Sequence, residues 1–123
     1  MTIATLAMFV RENEILLAKK KRGFGVNFWN GYGGKLAPGE DILDAASREI
    51  KEESGAIVRR EDLEELGTLD FFFSDKPEWN QRGVIYQVRK WEGEPGETEE
   101  MQQPEWFSFV ELPYAEMWAG DDQ

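Results

Sequence analysis

Cysteine and histidine are both missing from this chain of 123 residues. Their absence removes disulfides, thiol nucleophiles, imidazole bases and the usual structural zinc sites together. Any chemistry must come from carboxylates, amines, amides, the backbone or an added metal. Long apolar runs are missing as well: the opening TIATLAMFV alternates, carries no basic leader, and nothing later approaches the length of a membrane span. Positive charge is in short supply, with 14 lysines and arginines against 25 aspartates and glutamates and a formal net charge of -11. A surface of that sign repels nucleic acid polymers and anionic membranes. A small anionic substrate is compatible with it where a cation screens the charge.

The length suits one domain over residues 1–123 with a single core, expected in the cytoplasm. Ile3 to Val10 and Ile15 to Lys19 are apolar-rich runs on either side of the polar turn RENE, which predicts a β-hairpin. Residues 20–32, KKRGFGVNFWNGY, read as a loop. After Pro38 and Gly39, Asp41 fits a helix N-cap, and the helix runs to about Ser54, where Gly55 supplies the stop. Leu66 to Ser74 and Gly83 to Trp91 read as strands joined by the loop KPEWNQR. Gly93 to Pro104 is acidic and irregular, and Glu105 to Phe109 reads as a short strand. Strands around one central helix predict an α/β domain with a mixed sheet. Phe71 and Phe73 share one side of their strand while Phe72 takes the other. Trp91 and Trp106 read as packing residues, and Trp29 points away from Asn30 in an extended segment.

The predicted helix concentrates acid. At 100° per residue Glu49, Glu52 and Glu53 project together beside an apolar stripe of Leu43, Ala46 and Ile50. A solvated acidic face is the plain reading of such a cluster. Like charges three and four residues apart nevertheless disfavour a helix, and acids near its C-terminal end oppose the macrodipole. A hard divalent cation offsets both, since Mg²⁺ takes oxygen ligands and binds through one or two carboxylates plus substrate phosphates. Arg48 is a local partner able to fix one of the carboxylates.

The spacing is recognisable. Gly34, five residues, Glu40, seven residues and then Arg48, Glu49, Ile50, Lys51, Glu52, Glu53, Ser54, Gly55 and Ala56 resemble the Nudix box, Gx5Ex7REUxEExGU, with U an apolar residue. The resemblance implies the Nudix fold: a mixed sheet packed with the box helix in an α/β/α sandwich. It also implies hydrolysis of a nucleoside diphosphate linked to another group, with Mg²⁺ or Mn²⁺ held by the box helix.

Beyond the box, KKKRGFGVNFWNGYGGKLAPGE and PEWFSFVELPYAEMWAGDD resemble the MutT homologues of that family, which hydrolyse oxidised purine nucleoside triphosphates such as 8-oxo-dGTP. On that resemblance Glu49, Glu52, Glu53, Glu100 and the Gly33 carbonyl surround the metal, and Arg48, Glu52, Glu53 and Glu100 form the catalytic group. Thr5, Lys20, Phe24, Asn30, Phe71, Phe73, Trp118, Asp121 and Asp122 line the nucleotide pocket. Here Ala119 and Gly120 separate Trp118 from Asp121, one residue more than in those homologues, and a frayed acidic terminus is the competing reading of Asp121 and Asp122. Domains of this type usually continue into a further helix and strands, so the resemblance implies a fold shortened at its C-terminus. Such a domain is expected to be a monomer when complete and to associate if truncated. Two other readings stand beside this one: a Nudix enzyme for ADP-ribose or a dinucleoside polyphosphate, and a catalytically weak nucleotide-binding protein.

Overall fold

Alternation at the N-terminus becomes a strand because one side of it has a core to face. In the computed structural model, which describes residues 1–22 and 26–108, β1 (Thr2–Arg11) turns at Glu12 and Asn13 into β2 (Glu14–Lys19). The two strands are antiparallel, with Val10 opposite Ile15 and Arg11 opposite Glu14. Glu12 takes a positive φ of 46° in the turn. The expected hairpin is therefore present.

The Gly/Asn-rich stretch expected as loop contains a short strand, β3 (Trp29–Asn30), paired with Ala18 and Lys19 of β2. Two residues further on, Tyr32 pairs with Ala7 of β1, and Lys35 pairs with Ala4. Residues 29–35 thus fill the gap that opens between β1 and β2 as the hairpin strands diverge. The other edge of β2 carries β6 (Glu105–Ser108), from Glu14 opposite Ser108 to Leu17 opposite Glu105.

β1 also pairs in parallel with the whole of β5 (Gln81–Val88), from Thr2 opposite Gln81 to Phe9 opposite Val88. Antiparallel to β5 lies β4 (Leu63–Phe71), with a register shift between Glu65 and Gly67. Both strands start earlier than their composition predicts, at Leu63 instead of Leu66 and at Gln81 instead of Gly83. The bulge explains the first difference: it lets Leu63, Glu64 and Glu65 continue the ladder past a break in apolar alternation. The sheet order is β3-β2-β1-β5-β4, with β6 on β2.

α1 (Ile42–Ser54) covers one face of this sheet. Its start is fixed by Asp41, whose carboxylate accepts hydrogen bonds from the Leu43 and Asp44 amides, and its end by Gly55 at φ 83° in the left-handed region. Ala46 and Ile50 are buried with Ala7, Phe9, Tyr32, Val84, Tyr86 and Val88, and Leu43 packs against them. Ile15 and Leu17 face the opposite way, with Met8, Trp29 and Phe107. Trp91 stacks on Trp106 at 6.1 Å and sets its edge on Phe9, the packing role expected of both. Trp29 likewise meets the edge of Phe107. The fold is a mixed sheet with one α-helix among the described residues, so the second helical layer of the expected sandwich is not among them. No helix among the described residues is long and apolar enough to cross a membrane.

The turn into α1 is strapped to the helix by charge. Glu40 accepts the Arg48 Nε–H at 2.8 Å and an Nη2–H at 2.9 Å, a bidentate pair, and also the Ala37 amide at 2.9 Å. Those donors, Arg48 first, hold the Glu40 carboxyl down to about 2. A carboxylate whose folded pKa lies below its ordinary value stabilises the fold above that ordinary value, and the stability is lost as pH falls through the folded one. Glu40→Gln should therefore melt below wild type at pH 7, and the gap should close between about pH 5 and about pH 2. Thermal melts across that range check it, and a gap of constant size would assign the effect to packing.

Candidate active site

The three signature carboxylates of α1 do not share one fate. Glu53 lies three residues after the buried Ile50 and is itself only 7% exposed. The Glu49 side chain is 15% exposed and that of Glu52 is 54% exposed, so the cluster grades from wall to rim. A carboxylate buried this far needs donors. The Gly33 amide supplies one, donating to Glu53 Oε1 at 2.9 Å. The resemblance implies a metal contact for the Gly33 carbonyl, and the amide of the same residue holds Glu53.

Gly33 reaches Glu53 because the chain there lies flat on β1. Tyr32 and Ala7 exchange backbone hydrogen bonds of 2.6 and 2.8 Å, and the Thr5 amide donates to the Gly34 carbonyl at 2.9 Å. A Cβ on Gly33 would overlap the Thr5 carbonyl, and one on Gly34 would sit 2.7 Å from Glu49 Oε2. Only glycine lets the backbone pass between strand and acidic helix.

Opposite this loop, residues 98–101 fold around a threonine. The Thr98 hydroxyl donates to the Glu53 carbonyl at 2.9 Å and accepts from the amides of Glu100 and Met101 at 3.2 Å each. It thereby fixes Glu100 beside the end of α1, and Glu52, Thr98, Glu99 and Glu100 line a cleft. Thr98 was not foreseen, since its partner lies 45 residues away and a single threonine in an acidic stretch carries no spacing signal. Lys20 closes the same region from the end of β2, bridging Met101.

Charge in the site is held by two guanidinium groups. Arg48 Nη1 donates to Glu49 at 2.7 Å and to Glu52 at 3.2 Å while its other nitrogens hold Glu40. Arg22 Nη2 donates to Glu100 at 2.8 Å. Burial pushes the Glu53 carboxyl up to about 8, with Glu49 and Glu100 adding to the rise against the pull of the Gly33 amide and Lys20. Among the described residues no three acidic side chains converge on one point as they stand. Arg48 draws Glu49 and Glu52 aside, and Arg22 draws Glu100. The donors nevertheless fit a hard divalent cation in kind. All are oxygens, one is buried and disfavoured as an anion by its neighbours, and a cation relieves that disfavour.

The residues expected around the nucleotide are only partly brought together. Thr5 is 3% exposed on β1, its hydroxyl 3.5 Å from the Gly34 carbonyl, which makes it a support for the loop. Asn30 accepts the Gly31 amide on Oδ1 at 2.9 Å. Phe71 and Phe73 are half-buried and Phe72 is exposed, although β4 ends at Phe71, short of the Ser74 expected. Phe73 meets the edge of Trp79 at 6.0 Å, and its amide donates to Asn80 Oδ1 at 2.8 Å. Phe24, Trp118, Asp121 and Asp122 lie outside the described residues.

Comparison with known proteins agrees with this fold. The NUDIX domain model matches residues 1–123. Over 119 residues the chain is 42% identical to the oxidized purine nucleoside triphosphate hydrolase of Danio rerio, covering 97% of this chain and 74% of that protein. The Mus musculus protein of the same name is 41% identical over 117 residues, covering 95% and 72%. Among solved structures, a MutT NUDIX hydrolase from Burkholderia pseudomallei superposes with a TM-score of 0.82 at 29% identity, covering 91% of this chain and 86% of that one. Nudix proteins are hydrolases of pyrophosphate bonds that generally use divalent metal ions, and with a complete signature running from Gly34 through α1 to Ala56 and the fold to match, this chain belongs to the Nudix family.

Proposed function

We propose that this chain is a single Nudix domain over residues 1–123 that hydrolyses oxidised purine nucleoside triphosphates, such as 8-oxo-dGTP, to the nucleoside monophosphate and pyrophosphate. The observation that carries the reading is the 41–42% identity, across nearly the whole chain, to two hydrolases named for that substrate class. The reading implies a cytoplasmic enzyme. The complete domain is expected to act as a monomer, and a truncated one to associate.

Glu49, Glu52, Glu53, Glu100 and the Gly33 carbonyl are the groups we assign to Mg²⁺, with Mn²⁺ as the alternative ion. When bound, the cation supplies charge neutralisation at the phosphate oxygens and activation of the attacking water. The protein does the rest. The Gly33 amide and Thr98 hold Glu53 from its two ends, its carboxylate and its carbonyl. Arg48 sets the spacing of Glu49 and Glu52. Lys20 brings positive charge to the phosphate side. Glu52, Glu53 and Glu100 are each eligible to take the proton from water, which is general-base work at hydrogen-bond distance. At the other end of the substrate Asn30, Phe71, Phe73, Phe24 and Trp118 are assigned to the purine, and Asp121 and Asp122 to its hydrogen-bonding edge, where one carboxylate accepts from two adjacent N–H groups.

Glu53→Gln keeps the acceptor for the Gly33 amide and removes the charge. It should fold with an unchanged circular dichroism spectrum and lose turnover of 8-oxo-dGTP by about 10²-fold or more at matched Mg²⁺. Hydrolysis within a few-fold of wild type would remove Glu53 from the metal assignment.

Asp121→Asn tests the base. Its kcat/KM for 8-oxo-dGTP should fall by about 10-fold or more, the scale of a lost charge-assisted hydrogen bond, while slow hydrolysis of a pyrimidine triphosphate stays level. Equal losses on both substrates would move Asp121 to the fold or the metal site, and no loss would leave it without a role. Asp122→Asn belongs beside it because the spacing allows the two to exchange parts.

A further inference from the structure

The loop after β2 is tied to the turn at residues 98–101 by more than Lys20. The Lys21 amide donates to the Glu100 carbonyl at 2.9 Å, and Lys21 Nζ pairs with Glu97 at 2.7 Å. The Gln102 amide donates to the Lys19 carbonyl at 2.8 Å. With the backbone pinned this way, Arg22 lays its guanidinium against the Glu100 carboxylate, 2.8 Å from Nη2 to Oε1. Both side chains are substantially exposed, 66% for Arg22 and 41% for Glu100. An ion pair in that setting is weak and exchanges readily. It also puts a fixed positive group within contact distance of whatever else Glu100 holds.

We propose that Arg22 and the divalent cation compete for the Glu100 carboxylate, and that the displaced guanidinium, held beside the site by the pinned loop, turns to the substrate's polyphosphate. This rests on the assignment of Glu100 to the cation made above. The chemistry requires the exchange to be asymmetric. A bare cation that takes Glu100 leaves Arg22 without an anionic partner, whereas a cation carrying a polyphosphate gives the guanidinium a new anionic partner of the kind it fits best. Arg22 is thus a positioning residue that opposes the ion alone and favours the ion with its nucleotide. Arg48 differs, because Glu40 keeps two of its nitrogens engaged whatever Glu49 and Glu52 do.

The test reads binding of Mn²⁺ alone by titration calorimetry and, separately, the KM for 8-oxo-dGTP at saturating Mg²⁺. For Arg22→Gln, Mn²⁺ should bind about 2- to 5-fold tighter, the range an exposed ion pair allows, while KM rises about 3-fold or more. Arg22→Lys should lie between wild type and Arg22→Gln in both. A role in folding alone moves the two readouts together, so tighter Mn²⁺ with raised KM identifies the exchange. Unchanged or weaker Mn²⁺ binding overturns it, and so does an unchanged KM. Lys21→Gln removes an equal charge whose partner is Glu97, and tightening of Mn²⁺ there equal to that of Arg22→Gln would assign the effect to the general field and overturn the exchange. Glu100→Gln separates the two layers. If it leaves Mn²⁺ affinity unchanged, the assignment of Glu100 to the cation fails. If it weakens Mn²⁺ and Arg22→Gln does not tighten it, only the competition fails.

Discussion

The Gly33 amide donates to the Glu53 carboxylate across 2.9 Å, and the architecture of the site is arranged around keeping that contact. A buried carboxylate is tolerated only with donors or a counter-charge. Here the donor is a backbone group, which has to be delivered by a chain lying on β1 without a side chain in the way. The helix must meet it at the right height, so its start and stop are set by Asp41 and Gly55. On the far side Thr98 takes the carbonyl of the same glutamate. Loop, helix and turn therefore converge on one residue, with the helix packed on the sheet by Ala46 and Ile50.

Around that anchor the protein handles excess acidity by sharing a few cations among many carboxylates. Arg48 serves Glu40, Glu49 and Glu52, and Arg60 serves Asp41 and Asp44 at the other end of the helix. Glu40 and Glu49 are largely shielded, but the remaining pairs are exposed and each by itself is worth little in water. Their effect is on geometry: they decide which carboxylates face one another and which are held apart. Among the described residues Glu53, the most buried member of the cluster, has no arginine partner of its own.

Much of this was legible in the residues. The hairpin, the capped helix and the acidic cluster follow from alternation, from Asp41 and Gly55, and from the three- and four-residue spacing of the glutamates. What the spacing did not carry was depth. Periodicity places Glu49, Glu52 and Glu53 together, but their separation into wall and rim depends on how far α1 sinks onto the sheet, a property of the packed partners. β3 escaped notice because two residues in a glycine-rich stretch have no period to read. The start of β4 was misjudged because a bulge at Leu66 interrupts the alternation that defines a strand in sequence. Thr98 and Arg22 work through contacts to distant parts of the chain, 45 and 78 residues away, which local pattern does not encode.

The parallel pairing of β1 with β5 has a consequence for how the molecule comes into being. β1 is the first strand made, and its central partner ends at Val88. At about 5–20 residues per second, roughly 4–16 s of synthesis separate the two strands. During that time one edge of β1 is open, and its closure spans most of the chain, the kind of long-range contact that slows folding. The hairpin and the segment at residues 29–35 are able to form early, since their partners are near in sequence. Glu53 receives the Gly33 amide from that early half, but Thr98 and Glu100 follow β5, and β6, which completes the sheet along β2, follows them. The nascent chain thus carries its acidic helix for a further 45 residues of synthesis, from Glu53 to Thr98, without the turn that completes the cleft.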